Sequence, residues 1–195
     1  LILAIGRPYT RQIDQFQALS KQYAFTMQVG LETDSLDPTG QITNQLPDRL
    51  LERNVKHIRE TLIQQKRRFE GEQEQVAPFF SAKKVDGQRL YKLARKGIYK
   101  QPKPQKIVIY RFTLTPQASQ VQPCLFQCQV HCSKGTYVRS LVRDMGQVLL
   151  MPTVTQSLRR SGIGPYSVDQ ALSLEALTQE QIAGALFRSI KADIV

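Results

Sequence analysis

Residues 22–31, QYAFTMQVGL, alternate without a break: Tyr23, Phe25, Met27, Val29 and Leu31 fall on one side, and Gln22, Ala24, Thr26 and Gln28 on the other. That period is the mark of a strand with one face in a core and one face in polar surroundings. PCLFQCQVHC, residues 123–132, obeys the same rule, with Phe126, Cys128, Val130 and Cys132 on one side. Two helical stripes accompany these strands. Leu51, Val55, Ile58 and Leu62 predict a helix over about Arg53 to Lys66, and Val138, Leu141, Val142, Met145, Val148 and Leu149 predict another after a bend at Gly135. The pattern fits an α+β fold, a mixed and largely antiparallel sheet with packed helices, and the 195 residues suit a single domain.

The remaining elements are shorter. LILAIG at 1–6 reads as a buried strand, and a short helix is expected through Asp14 to Ser20. VAPFFSAKK is irregular, VDGQ carries an Asp-Gly turn signal, and RLYKLARKG reads as a short helix closed by Gly97. Lys106 to Thr115 is a further strand, paired with Cys124 to Cys132. In TDSLDPTGQI, residues 33–42, Asp37, Pro38 and Gly40 occupy the first, second and fourth positions of a type I turn, and Gln41 starts the return strand. Asp37 is thus expected to be a turn residue.

No apolar run approaches the ~20 residues of a membrane helix. Cys124, Cys128 and Cys132 invite a metal reading, but on a strand rising ~3.3 Å per residue Cys128 and Cys132 lie roughly 13 Å apart, beyond the reach of one zinc ion. They read as small core residues, unpaired as suits a reducing cytoplasm. The charge is more informative. Of a net +11, residues 83–111 contribute +9, from ten Lys and Arg against Asp86 alone. A concentrated basic stretch favours a polyanion through counterion release, so nucleic acid is the leading partner, with a solvated basic face as the plain alternative. Arg139 is placed in the first turn of its helix, where a cation opposes the positive end of the helix dipole. An anion partner would relieve that opposition, and simple solvation is the other reading.

Four stretches, KQYAFTMQVG with TDSLDPTGQI, FFSAKKVDGQRLYKLARKG, VHCSKGTYVRSLVRDMG and SLRRSGIGPYSVDQA, resemble the TruB family of tRNA pseudouridine synthases in order and spacing, over most of residues 1–175. Lys83 departs from the family pattern, which usually carries an apolar residue there. The resemblance implies a pseudouridine synthase-like catalytic domain that isomerises the T-loop uridine of tRNA, position 55 by convention, with no cofactor and no metal. It implies that the target nucleotide is extruded into a pocket, at a few kcal/mol of unstacking. Tyr23 then matches the active-site tyrosine that stacks on the flipped base and is a candidate for removing the C5 proton; from the residues alone it reads as a core strand residue. Arg139 matches the arginine that pairs with the catalytic aspartate, Tyr137 a base-contacting position, and Leu158 an apolar residue lining the uracil pocket. Lys84 and Arg89 are the expected phosphate contacts along the T-arm.

The family's essential aspartate stands in a G-x-L-D-P-x-A-x-G-x-L motif, and the strand after that motif resembles LILAIG. The nucleophile is therefore expected upstream of Leu1, and the chain as given is expected to be an N-terminally truncated, inactive catalytic domain. LDPTG at 36–40 imitates the motif but follows Tyr23. A monomer in the cytoplasm is expected, without a separate C-terminal RNA-binding domain. The alternative function is a non-catalytic RNA-binding or RNA-folding protein.

Overall fold

The alternating strands pair as their patterns require. In the computed structural model, which describes residues 2–117, 124–173, 178–180 and 182–183, the strands are β1 (Lys21–Val29), β2 (Leu31–Thr33), β3 (Ile42–Gln45), β4 (Gly71–Gln75), β5 (Lys84–Val85), β6 (Gln88–Arg89), β7 (Gln105–Pro116), β8 (Leu125–Cys132), β9 (Thr153–Ile163) and β10 (Tyr166–Ser167). The helices are α1 (Arg7–Thr10), α2 (Ile13–Ala18), α3 (Asp48–Gln65), α4 (Leu90–Ala94) and α5 (Val138–Leu149). Leu1, where the first strand was expected to begin, and Val195, the end point in the expectation of no further domain, lie outside the described residues.

Six strands form one antiparallel sheet in the order β10-β9-β1-β8-β7-β4. Directly opposed residues of antiparallel strands share a face. Phe25 opposes Cys128 and Met27 opposes Phe126, so the apolar sides of β1 and β8 merge. Ile107, Ile109, Phe112 and Leu114 of β7 extend that surface, and Phe25 stacks on Phe112 with ring centroids 6.4 Å apart. The two helical stripes cover it: Leu51, Ile58 and Leu62 from α3, and Val138, Leu141, Val142 and Met145 from α5, are all buried. The three cysteines lie inside this core. Gln22, Thr26, Gln127 and Gln129 face the other way.

Two expectations are corrected. Helix α3 begins at Asp48 rather than near Arg53, because Pro47 at its N-cap has an extended backbone and Asp48 places an acid in the first turn. Residues 2–6 of LILAIG are not a strand. No described strand pairs with residues 2–6, Leu3 and Ile5 are 65% and 52% exposed, and Gly6 turns at φ 87° into α1. Apolar character alone does not make a strand when the ladder's partners are absent.

Candidate active site

Arg139 is the second residue of α5, and the turn expected at 34–40 is where its carboxylate partner comes from. The turn joins β2 and β3, which pair antiparallel. Gly40 N–H donates to the Asp37 carbonyl, and the Asp37 carboxylate accepts from Thr39 N–H at 3.1 Å, from the Thr39 hydroxyl and from the Ser35 hydroxyl at 2.8 Å. Asp37 is a turn residue, as read. It is also the counter-ion of Arg139, with Nη1 at 2.9 Å from Oδ2, and that second role was missed. The partner that relieves the charge opposition at the start of α5 is therefore inside this chain.

The guanidinium is held on two further sides. Nη1 donates to the Ser35 carbonyl at 2.6 Å, and Nη2 to the Phe80 carbonyl at 2.7 Å. Three of its five N–H groups are thereby used among the described residues. Nε–H and one Nη2–H have no hydrogen-bond partner among the described residues, so the guanidinium keeps donors for a further acceptor. The turn is in turn fastened to the sheet: Leu36, buried and at φ 63°, turns its carbonyl to accept from Thr155 N–H of β9 at 3.2 Å. A non-glycine residue in the left-handed region carries a local cost, which this contact and the Asp37 bonds offset.

Tyr137 caps the N-terminus of α5 and is fixed through its backbone. Gln75, at the end of β4 and 2% exposed, accepts from Tyr137 N–H at 2.8 Å and donates to the Tyr137 carbonyl at 3.1 Å. The next residue, Val76, offers its carbonyl to the Ser140 hydroxyl at 2.8 Å, so the strap after β4 follows the helix.

Tyr23 and Leu158 occupy the same side of the sheet as this cluster. Across the β1/β9 pairing Tyr23 opposes Arg160 and Leu158 opposes Phe25, which points to the core side. Yet Leu158 is 47% exposed, and residues 156–160 of β9 are exposed with it. Leu158 is thus available to a ligand and is not a core leucine. Burial raises the Tyr23 pKa, the neighbouring Cys132 adds to the rise, and the charge and hydrogen bond of Arg160 oppose it; the phenol remains protonated at neutral pH. Arg160 and Gln75 were both missed as site residues. Arg160 could have been found only through register, since SLRRSG contains two adjacent arginines and the register decides which one faces Tyr23.

Lys84 and Arg89 face each other across the β5/β6 hairpin and are exposed. With Gln88, Lys92, Arg95 and Lys96 they line an open basic groove. The hairpin turn uses Asp86 at φ 50° and Gly87 at φ 77°, the two left-handed positions of a two-residue type I′ loop, as the Asp-Gly signal predicted. The described residues thus bring Tyr137 and Arg139 together with Asp37, set Tyr23 and Leu158 on the adjoining sheet, and put Lys84 and Arg89 on a separate arm. No helix of the described residues is long and apolar enough to cross a membrane.

The antiparallel six-stranded sheet with its packed helices defines an α+β fold that is shared with a chain of the crystal structure of a Cbf5-Nop10-Gar1 complex, at TM-score 0.55 and 20% identity, covering 87% of this chain and 38% of that one. The family follows from sequence. The TruB family pseudouridylate synthase (N terminal domain) model matches residues 1–138, and the chain belongs to that family. Among its relatives, tRNA pseudouridine synthase B of Bordetella avium (strain 197N) is 40% identical over 157 residues, covering 80% of this chain and 61% of that protein. The tRNA pseudouridine synthase B of Pseudomonas aeruginosa (strain UCBPP-PA14) is 41% identical over 164 residues, covering 84% and 50%. The chain therefore spans between half and two thirds of the length of these two relatives.

Proposed function

We propose that this chain is catalytic-domain sequence of a tRNA pseudouridine synthase acting on the T-loop uridine at position 55, in the cytoplasm and as a monomer, with the T-arm as its RNA partner. The observation that carries the reading is the guanidinium of Arg139, locked by Asp37, Ser35 and Phe80 with two N–H donors still unused among the described residues. In the proposed reaction the bond from C1′ to N1 of the uracil breaks, the base turns, and C5 bonds to C1′; the C5 proton leaves and N1 is left with one, so atoms balance without any cofactor.

The roles follow from the geometry. Asp37 is committed to Arg139, Ser35 and Thr39, which makes it a poor attacking group, so we assign it to positioning. The attack is assigned to the motif aspartate implied by the family resemblance, which is not among residues 1–195, and the two unused donors of Arg139 are assigned to orienting that carboxylate. Tyr23 is assigned to stacking on the flipped base, with Leu158 as the apolar wall; removal of the C5 proton by Tyr23 requires the phenolate, which its raised pKa disfavours. Lys84 and Arg89 take backbone phosphates.

Tritium release from a T-arm stem-loop containing 5-labelled uridine tests this directly. A full-length protein containing this segment should release tritium, and its Arg139→Ala variant should release none while binding the stem-loop within about tenfold of the parent. Binding without turnover by the parent would leave the non-catalytic RNA-binding reading in its place. Turnover by the isolated 195-residue chain would instead make Asp37 or Asp34 the nucleophile.

A further inference from the structure

Gln75 and Gln105 stand directly opposite each other on β4 and β7, and both reach into the same loop. Gln75 grips the backbone of Tyr137, while Gln105 Nε2 donates to the Gly135 carbonyl at 2.6 Å. The other end of the Gln105 carboxamide, Oε1, accepts from Lys83 Nζ at 2.7 Å. A carboxamide that donates at one end and accepts from an ammonium at the other has its orientation fixed by its partners. Gly135 sits at φ 81°, in the left-handed region that favours glycine, and its carbonyl meets Gln105 from that turn.

Lys83 immediately precedes the β5/β6 hairpin, and its own carbonyl accepts from Leu90 N–H, closing the hairpin at 2.8 Å. Three residues before it, the Phe80 carbonyl accepts from Arg139. The contacts therefore form a closed ring: Arg139 to Phe80, along the chain to Lys83, through Gln105 to Gly135, and along the chain back to Arg139. One side of the ring carries the basic groove and the other carries Tyr137 and Arg139. Lys83 thus differs from its neighbour Lys84. It is half-buried with its ammonium turned inward onto a neutral amide, whereas Lys84 is exposed on the groove.

We infer that Lys83 and Gln105 are positioning residues that tie the basic hairpin to the Gly135–Arg139 segment, so that an RNA backbone seated on Lys84 and Arg89 is held in fixed register with Arg139. The RNA in that statement rests on the function proposed above; the tie does not.

Hydrogen exchange of the chain without RNA tests the tie. Lys83→Met keeps the aliphatic stem and removes the donor, and amide exchange at 135–137 should rise about tenfold although the substitution is in the other segment. Gln105→Ala should do the same, and the double variant should be no worse than Gln105→Ala alone, because both break one chain of bonds. In the full-length protein, Lys83→Met should lower kcat about fivefold with KM within about twofold, and leave the salt slope of stem-loop binding unchanged, while Lys84→Met lowers that slope by about one. Unchanged exchange at 135–137, or a slope lowered by about one in Lys83→Met, would overturn the inference. If Gln105→Ala does not fold, Lys83→Met carries the test. If the parent protein does not turn over the stem-loop, the proposed function fails, and the exchange measurement still decides the tie.

Discussion

Burial pushes the Asp37 carboxyl up, but hydrogen bonds from Thr39 and Ser35 and the charge of Arg139 outweigh it, and the net pKa lies below the usual carboxylate range. A depressed carboxylate pKa adds stability that is complete above the unfolded value of about 4 and disappears as pH falls through the folded value. Asp37→Asn should therefore lower the stability of the chain by about 1–3 kcal/mol at neutral pH. The gap should close as the pH falls below about 4. Urea midpoints of parent and variant at about pH 7 and about pH 3 check this, and a gap of equal size at both would mean that the Arg139 contact is not what Asp37 contributes. At this scale the sequence was half legible. Asp, Pro and Gly spelled out the turn, and the position of Arg139 in its helix left an anion partner and plain solvation both open, because the two residues are 102 apart in sequence and only tertiary packing joins them.

Among the elements, those with two different faces were readable and those without were not. Strand β1, strand β8, the stripe of α5 and the Asp-Gly hairpin all announced themselves through period or turn chemistry. Strand β4, GEQEQ, has no apolar face to betray it, being an edge strand that among the described residues pairs with β7 alone. Strand β9 was hidden for another reason: its pairing with β1 is interrupted by bulges at Gln22/Tyr23 and Thr26/Met27, which break the alternation, and its Gln156–Arg160 portion is exposed. Both missed strands border the site, so the site's frame was the part of the fold that hydrophobic pattern could not reveal. Gln75 illustrates the consequence. Its carboxamide is buried and doubly bonded to Tyr137, so Gln75→Ala should remove both bonds and leave the Tyr137 N–H without its partner, at a cost of about 1–3 kcal/mol. Gln75→Glu should be no better, since a carboxylate cannot donate to the Tyr137 carbonyl. Thermal unfolding of the two variants checks this; a Glu variant as stable as the parent would refute the two-bond account.

Across the whole molecule, the basic stretch read from sequence as one patch divides into parts with different work. Lys83 is turned inward to Gln105, Lys100 pairs with Asp86 at 2.7 Å, and the Arg95 guanidinium lies over the Tyr91 ring at 5.5 Å. Lys106 and Arg111 belong to β7 and stand apart from the hairpin, Lys106 opposite Glu74. Among the described residues, Lys84, Arg89, Lys92 and Lys96, with Arg95 beside them, form the concentrated cationic surface of the groove, on the arm whose base touches Arg139, and Lys103 is exposed outside that groove. If that arm seats an RNA backbone, affinity depends on where charge is placed and not on net charge alone. Charge reversal of Lys84 and Arg89 to Glu should weaken stem-loop binding and reduce the slope of log affinity against log salt by roughly one unit per lost contact. The same change of charge at Arg53 and Lys56, on the exposed side of α3, should leave the slope where it was, although the net charge falls equally. Equal slopes for the two double variants would mean that the RNA responds to the overall field of the protein, and would move the proposed contacts away from the hairpin.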